Sequence, residues 1–302
     1  MEVFELSTMQ RTEIKENTIV ALGTFDGCHL GHGSVFQNAF YESKKRGVKS
    51  VVYTFDGLVR QDKKALFTLE ERIKHIKKCG IDYIAIESFE KIKNMSGERF
   101  FDSILKGKLK SIGACCGFNY RFGVGASLGC EELKMLYEKS GGSVVISPEI
   151  TADNMVISST HLRKLIENGE VELASKYMPP YPVYAEVVQG KRLGRQMGFP
   201  TINQKIPENK VVPRHGVYIT EAYIGENAMP AITNVGTRPT VDGENKNINM
   251  ETYILDFDGN LYLSYVNIVF RKFLRSERKF DSVNELKEQI SKDLIEARKY
   301  FK

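Results

Sequence analysis

Three prolines in four residues, Met178-Pro-Pro-Tyr-Pro182, cut the chain between two stretches of different hydrophobic rhythm. Proline fixes φ and lacks an amide donor, so this stretch cannot continue a helix and reads as an extended linker. Before it, short apolar runs at 19–22, 50–55, 83–86, 113–116 and 143–146 alternate with segments of helical period. Phe36 and Phe40, then Leu69, Ile73 and Ile76, then Phe100, Phe101, Ile104 and Leu105 mark the helical segments. That alternation predicts a parallel α/β sheet over 1–178. After the linker, strand-like runs at 183–188, 217–223, 231–235, 250–257 and 265–273 follow one another, separated by Ile224-Gly, Asp242-Gly and Asp258-Gly turns. They predict a small barrel or sandwich over 182–302. A last helix is marked by the capping pair Ser282 and Glu285, with Val283, Leu286, Ile290, Leu294 and Ala297 on one face as core.

At 302 residues the chain is long enough for two cores. Apolar residues at 42% and charged residues at 27% are those of an ordinary globular protein. No apolar run reaches membrane-spanning length, and Met1-Glu-Val-Phe-Glu5 lacks the basic and apolar regions of a signal peptide. The five cysteines (28, 79, 115, 116, 130) show no framework spacing, so reduced thiols and a cytoplasmic location are expected. A formal charge of +5 suits anionic small molecules and is too small and dispersed for nucleic acid. No membrane or nucleic-acid partner is expected.

The densest motif is Gly23-Thr-Phe-Asp-Gly-Cys-His-Leu-Gly-His32, directly after the first apolar run. Its glycines permit close approach of backbone to a ligand. A helix opening near Leu30 or Gly31 would offer free N–H groups and a favourable dipole to phosphate. His29 and His32, one turn apart, would then donate to phosphate oxygens as charge builds on a departing pyrophosphate. Two other readings stay open: Cys28, His29 and His32 as metal ligands, and a purely structural turn.

Further along, Gly117-Phe-Asn-Tyr-Arg-Phe-Gly-Val-Gly125 offers Asn119 for base or ribose and Arg121 for phosphate, or else an aromatic hairpin with a solvated arginine. Ile157-Ser-Ser-Thr-His-Leu-Arg163 reads as a helix start whose hydroxyls cap it or bind phosphate. In the second half, Gly190-Lys-Arg-Leu-Gly-Arg-Gln-Met-Gly-Phe-Pro-Thr-Ile-Asn203 has glycines at 190, 194 and 198 that would let a loop fold over a nucleotide. Thr201 and Asn203 point to one side of an extended chain and suit Mg²⁺ as oxygen donors; a polar turn is the other reading. Glu251 stands in an apolar strand, either on its exposed face or as a base accepting a hydroxyl proton.

Taken together, these motifs resemble the prokaryotic bifunctional riboflavin kinase/FMN adenylyltransferase family, also called FAD synthetase. G-x-F-D-G-x-H-x-G-H is complete, N-[FY]-R-F-G stands at 119–123 and S-S-T-x-[IL]-R at 158–163. P-T-x-N (200–203), N-V-G-x-R-P-T (234–240), the strand glutamate and L-R-x-E-x-x-F (274–280) follow in the family's order. The resemblance implies a Rossmann-like nucleotidyltransferase domain, then a six-stranded riboflavin kinase barrel with a C-terminal helix. It implies ATP as co-substrate with Mg²⁺, and riboflavin, FMN and FAD as the flavins handled. Gly23, Phe25, Asp26, Asn119, Arg121, Ser158, Ser159, Thr160 and Arg163 would surround ATP in the first domain, with His29 and His32 on its triphosphate. In the second, Gly190, Gly194, Gly198, Pro200 and Thr201 would bind nucleotide, and Thr201 and Asn203 the metal. Glu251 would activate the ribityl 5′-hydroxyl, with Arg275 and Glu277 near the flavin. One departure is visible: the family's Thr-Phe-(Asp/Glu)-Pro-His reads Thr54-Phe55-Asp56-Gly57-Leu58 here. A chain with kinase activity alone, or a flavin-binding regulator without turnover, are the alternatives; intact Thr201, Asn203 and Glu251 argue against the second.

Overall fold

The computed structural model describes residues 1–6, 14–60, 62–153, 155–190, 194, 198–237 and 248–302. By internal contacts it divides into two compact units, Met1–Ser159 and Thr160–Lys302.

The first unit is built on one sheet. Its strands are β1 (Glu2–Glu5), β2 (Thr18–Leu22), β3 (Lys49–Phe55), β4 (Tyr83–Glu87), β5 (Ser111–Gly117) and β6 (Ser143–Ser147). They lie in the order β1-β4-β3-β2-β5-β6, with every neighbouring pair parallel. All five residues of β2 are buried, which explains its unbroken Thr-Ile-Val-Ala-Leu sequence in the middle of a sheet. The connecting helices are α1 (Leu30–Arg46), α2 (Leu69–Ile76), α3 (Phe89–Ile92), α4 (Gly97–Arg99) with a π-helical segment Phe100–Lys108, and α5 (Cys130–Lys139). A short hairpin, β7 (Thr151–Ala152) with β8 (Met155–Val156), follows β6. The chain winds outward from β2 through β3 to β4, then crosses back to place β5 on the other side of β2. That reversal is a switch point, where loops leaving the carboxyl ends of neighbouring strands diverge and leave a crevice. The His29–His32 turn leaves β2 and the Asn119 loop leaves β5, so the topology sets two of the predicted motifs on either side of it.

The second unit opens with α6 (Ser159–Glu167, all but its first residue) and α7 (Val171–Ala174). These helices precede the proline-rich stretch, yet they belong by contacts to the unit after it. Arg214 N–H donates to Ile166 O at 3.3 Å, tying α6 to the barrel side of that stretch.

The barrel strands are β9 (Pro182–Val188), β10 (Ile202–Lys205), β11 (Gly216–Ile224), β12 (Asn227–Thr237), β13 (Ile248–Ile254) and β14 (Tyr265–Arg275). They close in the order β10-β13-β12-β11-β14-β9, all antiparallel. Alternation sorts their side chains: Gln204, Met250, Thr252, Thr233 and Val235 are buried on one face, and Glu251 and Asn234, half-buried, stand on the other with Asn203. Inside, the hydroxyls of Thr220, Thr233 and Thr252 are linked at 2.8 Å each.

The C-terminal helix α8 (Val283–Tyr300) lays Ile290, Leu294 and Ala297 on Ile219, Ile232 and Leu255. Ser282 accepts from Glu285 N–H at 3.2 Å, as the capping signal predicts. Val283, expected on the packed stripe, is 59% exposed, because as the first helical residue it lies before the stretch that meets the barrel. An acidic residue joins the stripe instead. Asp293, buried, accepts from Arg275 through Nε and Nη2, at 2.8 Å for the shortest contact, and from Gln289 at 2.8 Å.

Asp293 is buried and Arg275 half-buried, so removing the carboxylate leaves a partly desolvated guanidinium unpaired, at a cost of about 2 kcal/mol. Asp293→Ala is therefore expected to lower the urea midpoint of the second unit's unfolding by that equivalent. A midpoint unchanged from wild type would show that the pair does not hold α8.

Candidate active sites

In the first unit the turn after β2 does the shaping. Gly23 ends the strand, Phe25 adopts φ 55° and Gly27 φ 79°. A side chain at Gly27 would meet Leu66 as well as strain the backbone. Phe25 is buried, its ring against His32 and Phe36, so its side chain supports the turn from beneath. His29 is the N-cap of α1 and makes no side-chain cap bond, and the first turn carries no acidic residue. The His29 and His32 rings stack with centroids 3.6 Å apart. Nδ1 of each is buried without a hydrogen-bond partner. Burial lowers the proton affinity of both: His29 to about 4, and His32 well below its ordinary value, with the neighbouring His29 and Arg72 adding to the effect. Two neutral imidazoles with unsatisfied nitrogens at an uncapped helix start form a site for an anionic acceptor. Cys28 does not join them; its thiol donates to Phe25 O at 3.4 Å. Among the described residues, no group of three or more His, Cys, Asp or Glu is arranged to hold a metal ion.

The remaining first-unit motifs meet this turn unevenly. Asp26 is buried, its carboxylate accepting from Leu66 and Phe67 N–H at 3.0 Å each, so it fixes the turn from inside. Ser159 Oγ donates to Asp26 O at 2.9 Å, which ties this serine to the same turn. Ser158 is half-buried beside it in sequence, while Thr160 and Arg163 follow on α6 in the second unit. Asn119 is exposed on the loop after β5. Arg121 is exposed and closes its own loop by donating to Ala126 O at 2.6 Å and Ser127 O at 3.1 Å. Gly57 is exposed, with nothing within 4 Å of where a side chain would stand.

One residue that sequence reasoning missed is central. Arg72 is 1% exposed and reaches from α2 to the ends of β2 and β3. It donates to Thr24 O at 2.8 Å, Thr54 Oγ1 at 3.0 Å and Phe55 O at 2.9 Å. The signal was present: Arg72 lies at i+3 on the apolar stripe Leu69, Ile73, Ile76, where a charge must find partners in the interior.

In the second unit, register makes the site. Asn203 on β10 stands across from Glu251 on β13, and Glu251 stands across from Asn234 on β12. Asn234 Nδ2 donates to Glu277 Oε1 at 3.0 Å, extending the row. Arg275 turns away from this row into its Asp293 ion pair. The residues before β10 fold back on it: Phe199 N–H donates to Gly194 O at 2.8 Å. Pro200 and Gly198 are exposed, and Thr201 is half-buried. A side chain at Gly190 would run into the Asn203 amide, and one at Gly194 would stand 3.4 Å from Thr201 Oγ1. Residues 191–193 and 195–197 of this motif, and 238–240 of N-V-G-x-R-P-T, lie outside the described residues.

Beside Thr201 opens a cleft of about 540 Å³ lined by Pro200, Ile202, Thr252, Ile254, Phe257 and Tyr262, among others. Its apolar walls beside hydroxyl and amide groups suit a flat heterocycle with a polar tail. The sequence marks only a strand-like run at 250–257 and an Asp258-Gly turn here, because cleft walls carry no spacing signature of their own.

Comparison with known proteins agrees with both halves. The FAD synthetase family matches residues 11–161 and the riboflavin kinase family residues 178–301. The bifunctional riboflavin kinase/FMN adenylyltransferase of Escherichia coli (strain K12) is 32% identical over 300 residues, 95% of this chain and 94% of that one. Its counterpart in Bacillus subtilis (strain 168) is 31% identical over 301 residues, 96% and 94% of the two chains. The crystal structure of a macrolide-efflux protein from Streptococcus pneumoniae shares the fold over 98% of both chains, with a TM-score of 0.87 at 28% identity. With both domains matched in order and relatives aligned from end to end, the chain belongs to the bifunctional riboflavin kinase/FMN adenylyltransferase family.

Proposed function

We propose that the second unit transfers the γ-phosphoryl group of ATP to riboflavin and the first joins the resulting FMN to AMP, giving FAD and pyrophosphate. The observation that carries the kinase reading is the register that sets Glu251 directly across from Asn203. Glu251 takes the proton of the ribityl 5′-hydroxyl as its oxygen attacks the γ-phosphorus; the bond to the β-phosphate oxygen breaks and ADP leaves. Asn234 and Glu277 continue the polar row toward the flavin, and Arg275, paired to Asp293, anchors the helix behind it. The cleft beside Thr201 takes the nucleotide base. Thr201 and Asn203 fit a magnesium ion, since they are oxygen donors with bare glycine backbone at Gly190 and Gly194 facing them. Bound there with ATP, Mg²⁺ would neutralise phosphate charge.

Adenylyl transfer is supported by the unsatisfied nitrogens of His29 and His32 at the start of α1. An oxygen of the FMN phosphate attacks the α-phosphorus of ATP, and the bond to the β-phosphate oxygen breaks. The imidazoles and the helix start receive the charge that builds on pyrophosphate. A cytoplasmic setting belongs to the same proposal and is supported by five free cysteines. Among the described residues no helix is long and apolar enough to cross a membrane.

Two substitutions separate the steps. Glu251→Gln is expected to lower FMN formation from riboflavin by about 10²–10⁴-fold while FAD formation from FMN stays near wild type. His29→Ala is expected to cost about 10²–10³-fold in FAD formation and to spare the kinase step. Flavins resolved by chromatography give both rates; loss of both steps in either variant would contradict separate sites.

The buried imidazoles also set a pH dependence. Their native proton affinity is depressed, so the unfolded chain binds more protons between its pKa near 6.5 and the native value. Stability is therefore full above pH 6.5 and falls as pH drops toward 4, by up to about 1.4 kcal/mol per unit for each imidazole. A His29→Gln, His32→Gln double variant should lose less stability than wild type between pH 7 and pH 5 in urea unfolding. Equal losses would contradict a neutral buried pair.

A further inference from the structure

Arg72 is a fully buried cation for which neither half-reaction, as described above, has a use. Every hydrogen bond it makes goes to a neutral oxygen. Nη1 donates to Thr24 O and Thr54 Oγ1; Nη2 donates to Phe55 O at 2.9 Å and reaches Asp56 O at 3.5 Å. Those carbonyls lie where the parallel strands β2 and β3 end and their ladder partners run out. Left there, these partly buried carbonyls would need donors, and as a row of negative dipole ends they would oppose a polyanion at the strand ends.

The attachment is reciprocal. Arg72 reaches from α2 to the β2–α1 turn, while Asp26 of that turn receives the Leu66 and Phe67 amides just ahead of α2. Thr54 Oγ1 donates to Thr24 O at 3.0 Å, so one carbonyl holds both β3 and α2. At the other end of the fork lies the exit of β3. There the rigid proline and imidazole of the family pattern are replaced by Gly57 and Leu58, and a side chain at 57 would meet nothing. Backbone that a proline would stiffen is here held through its carbonyls. The Arg72 charge also lowers the proton affinity of His32, so the cation lies within electrostatic reach of the histidine pair.

We propose that Arg72 is a positioning residue for adenylyl transfer, locking the His29–His32 turn and the Asp56–Gly57 exit into one rigid unit through the carbonyls of Thr24 and Phe55. The proposal rests on the adenylyltransferase reading of the first unit. A planar fork is required, because a single ammonium on a flexible stem cannot span both carbonyls.

The test compares full-length wild type, Arg72→Met, Arg72→Lys and Thr54→Val for FAD formation from FMN, and for riboflavin phosphorylation in the same preparations. Misplacing a turn by an ångström costs about 100-fold, so kcat for FAD formation should fall about 100-fold in both Arg72 variants. It should fall about fivefold in Thr54→Val, which removes one of two donors to Thr24 O. The KM for ATP should stay within about threefold, and riboflavin phosphorylation should be unchanged. Wild-type kcat in Arg72→Lys, or a loss confined to KM or to thermal stability, would overturn the positioning role. Should Arg72→Met fail to fold, Arg72→Lys and the near-isosteric Thr54→Val decide by the same criteria. A wild-type protein that makes FMN but no FAD overturns the adenylyltransferase reading, and the proposal with it, before any variant is compared.

Discussion

A slip of one residue between β10 and β13 would carry Glu251 into the barrel interior and bring Thr252 out to face Asn203. The polar row Asn203–Glu251–Asn234 exists only in one register, and that register is held by what lies on the other face. There Met250, Thr252, Gln204 and Thr233 are buried, and linked hydroxyls of Thr233 and Thr252 cross the strands. The interior therefore fixes the row from the opposite face, and through Thr252 it also reaches the cleft beside Thr201. In the first unit the same logic runs through parallel pairing. The order β3-β2-β5 makes the crevice, and five buried residues of β2 make the order hard to change.

Each unit also depends on a charge placed where an apolar residue would be expected. Arg72 sits on the apolar stripe of α2, and Asp293 on that of α8. Neither strengthens its element by burial alone, since desolvating a charge is costly. Each instead reaches a group that would otherwise be unsatisfied: strand-end carbonyls for Arg72, and the Arg275 guanidinium for Asp293. The consequence is directional. Arg72 joins α2 to the turn that carries His29, while Asp293 joins α8 to the strand that runs into Glu277.

Much of this was legible in the sequence. The apolar runs gave five strands of the sheet, and the glycine-punctuated turn before Leu30 gave the start of α1. β1 escaped because Glu-Val-Phe-Glu is a short edge strand with one buried residue. From residues alone the second half read as a barrel or a sandwich. Closure depends on β9 pairing with β10, a four-residue Ile-Asn-Gln-Lys strand with no apolar run to announce it. Arg121 was read as a phosphate fork or a solvated arginine, and Arg275 was set near the flavin by the family resemblance alone. The partners they have within the chain, loop carbonyls and a helix carboxylate, are tertiary neighbours that spacing does not encode. Charged residues on apolar stripes were the signal passed over, and both such residues are buried and tie one element to another.

The central claim is that one chain carries two working sites in series. The direct measurement is to give the purified full-length protein ATP and Mg²⁺ with riboflavin in one reaction and FMN in another, and to resolve the flavins over time. FAD is expected from both substrates, with FMN rising before FAD when riboflavin is supplied. FMN accumulating without FAD, and no change in the reaction started from FMN, would contradict it.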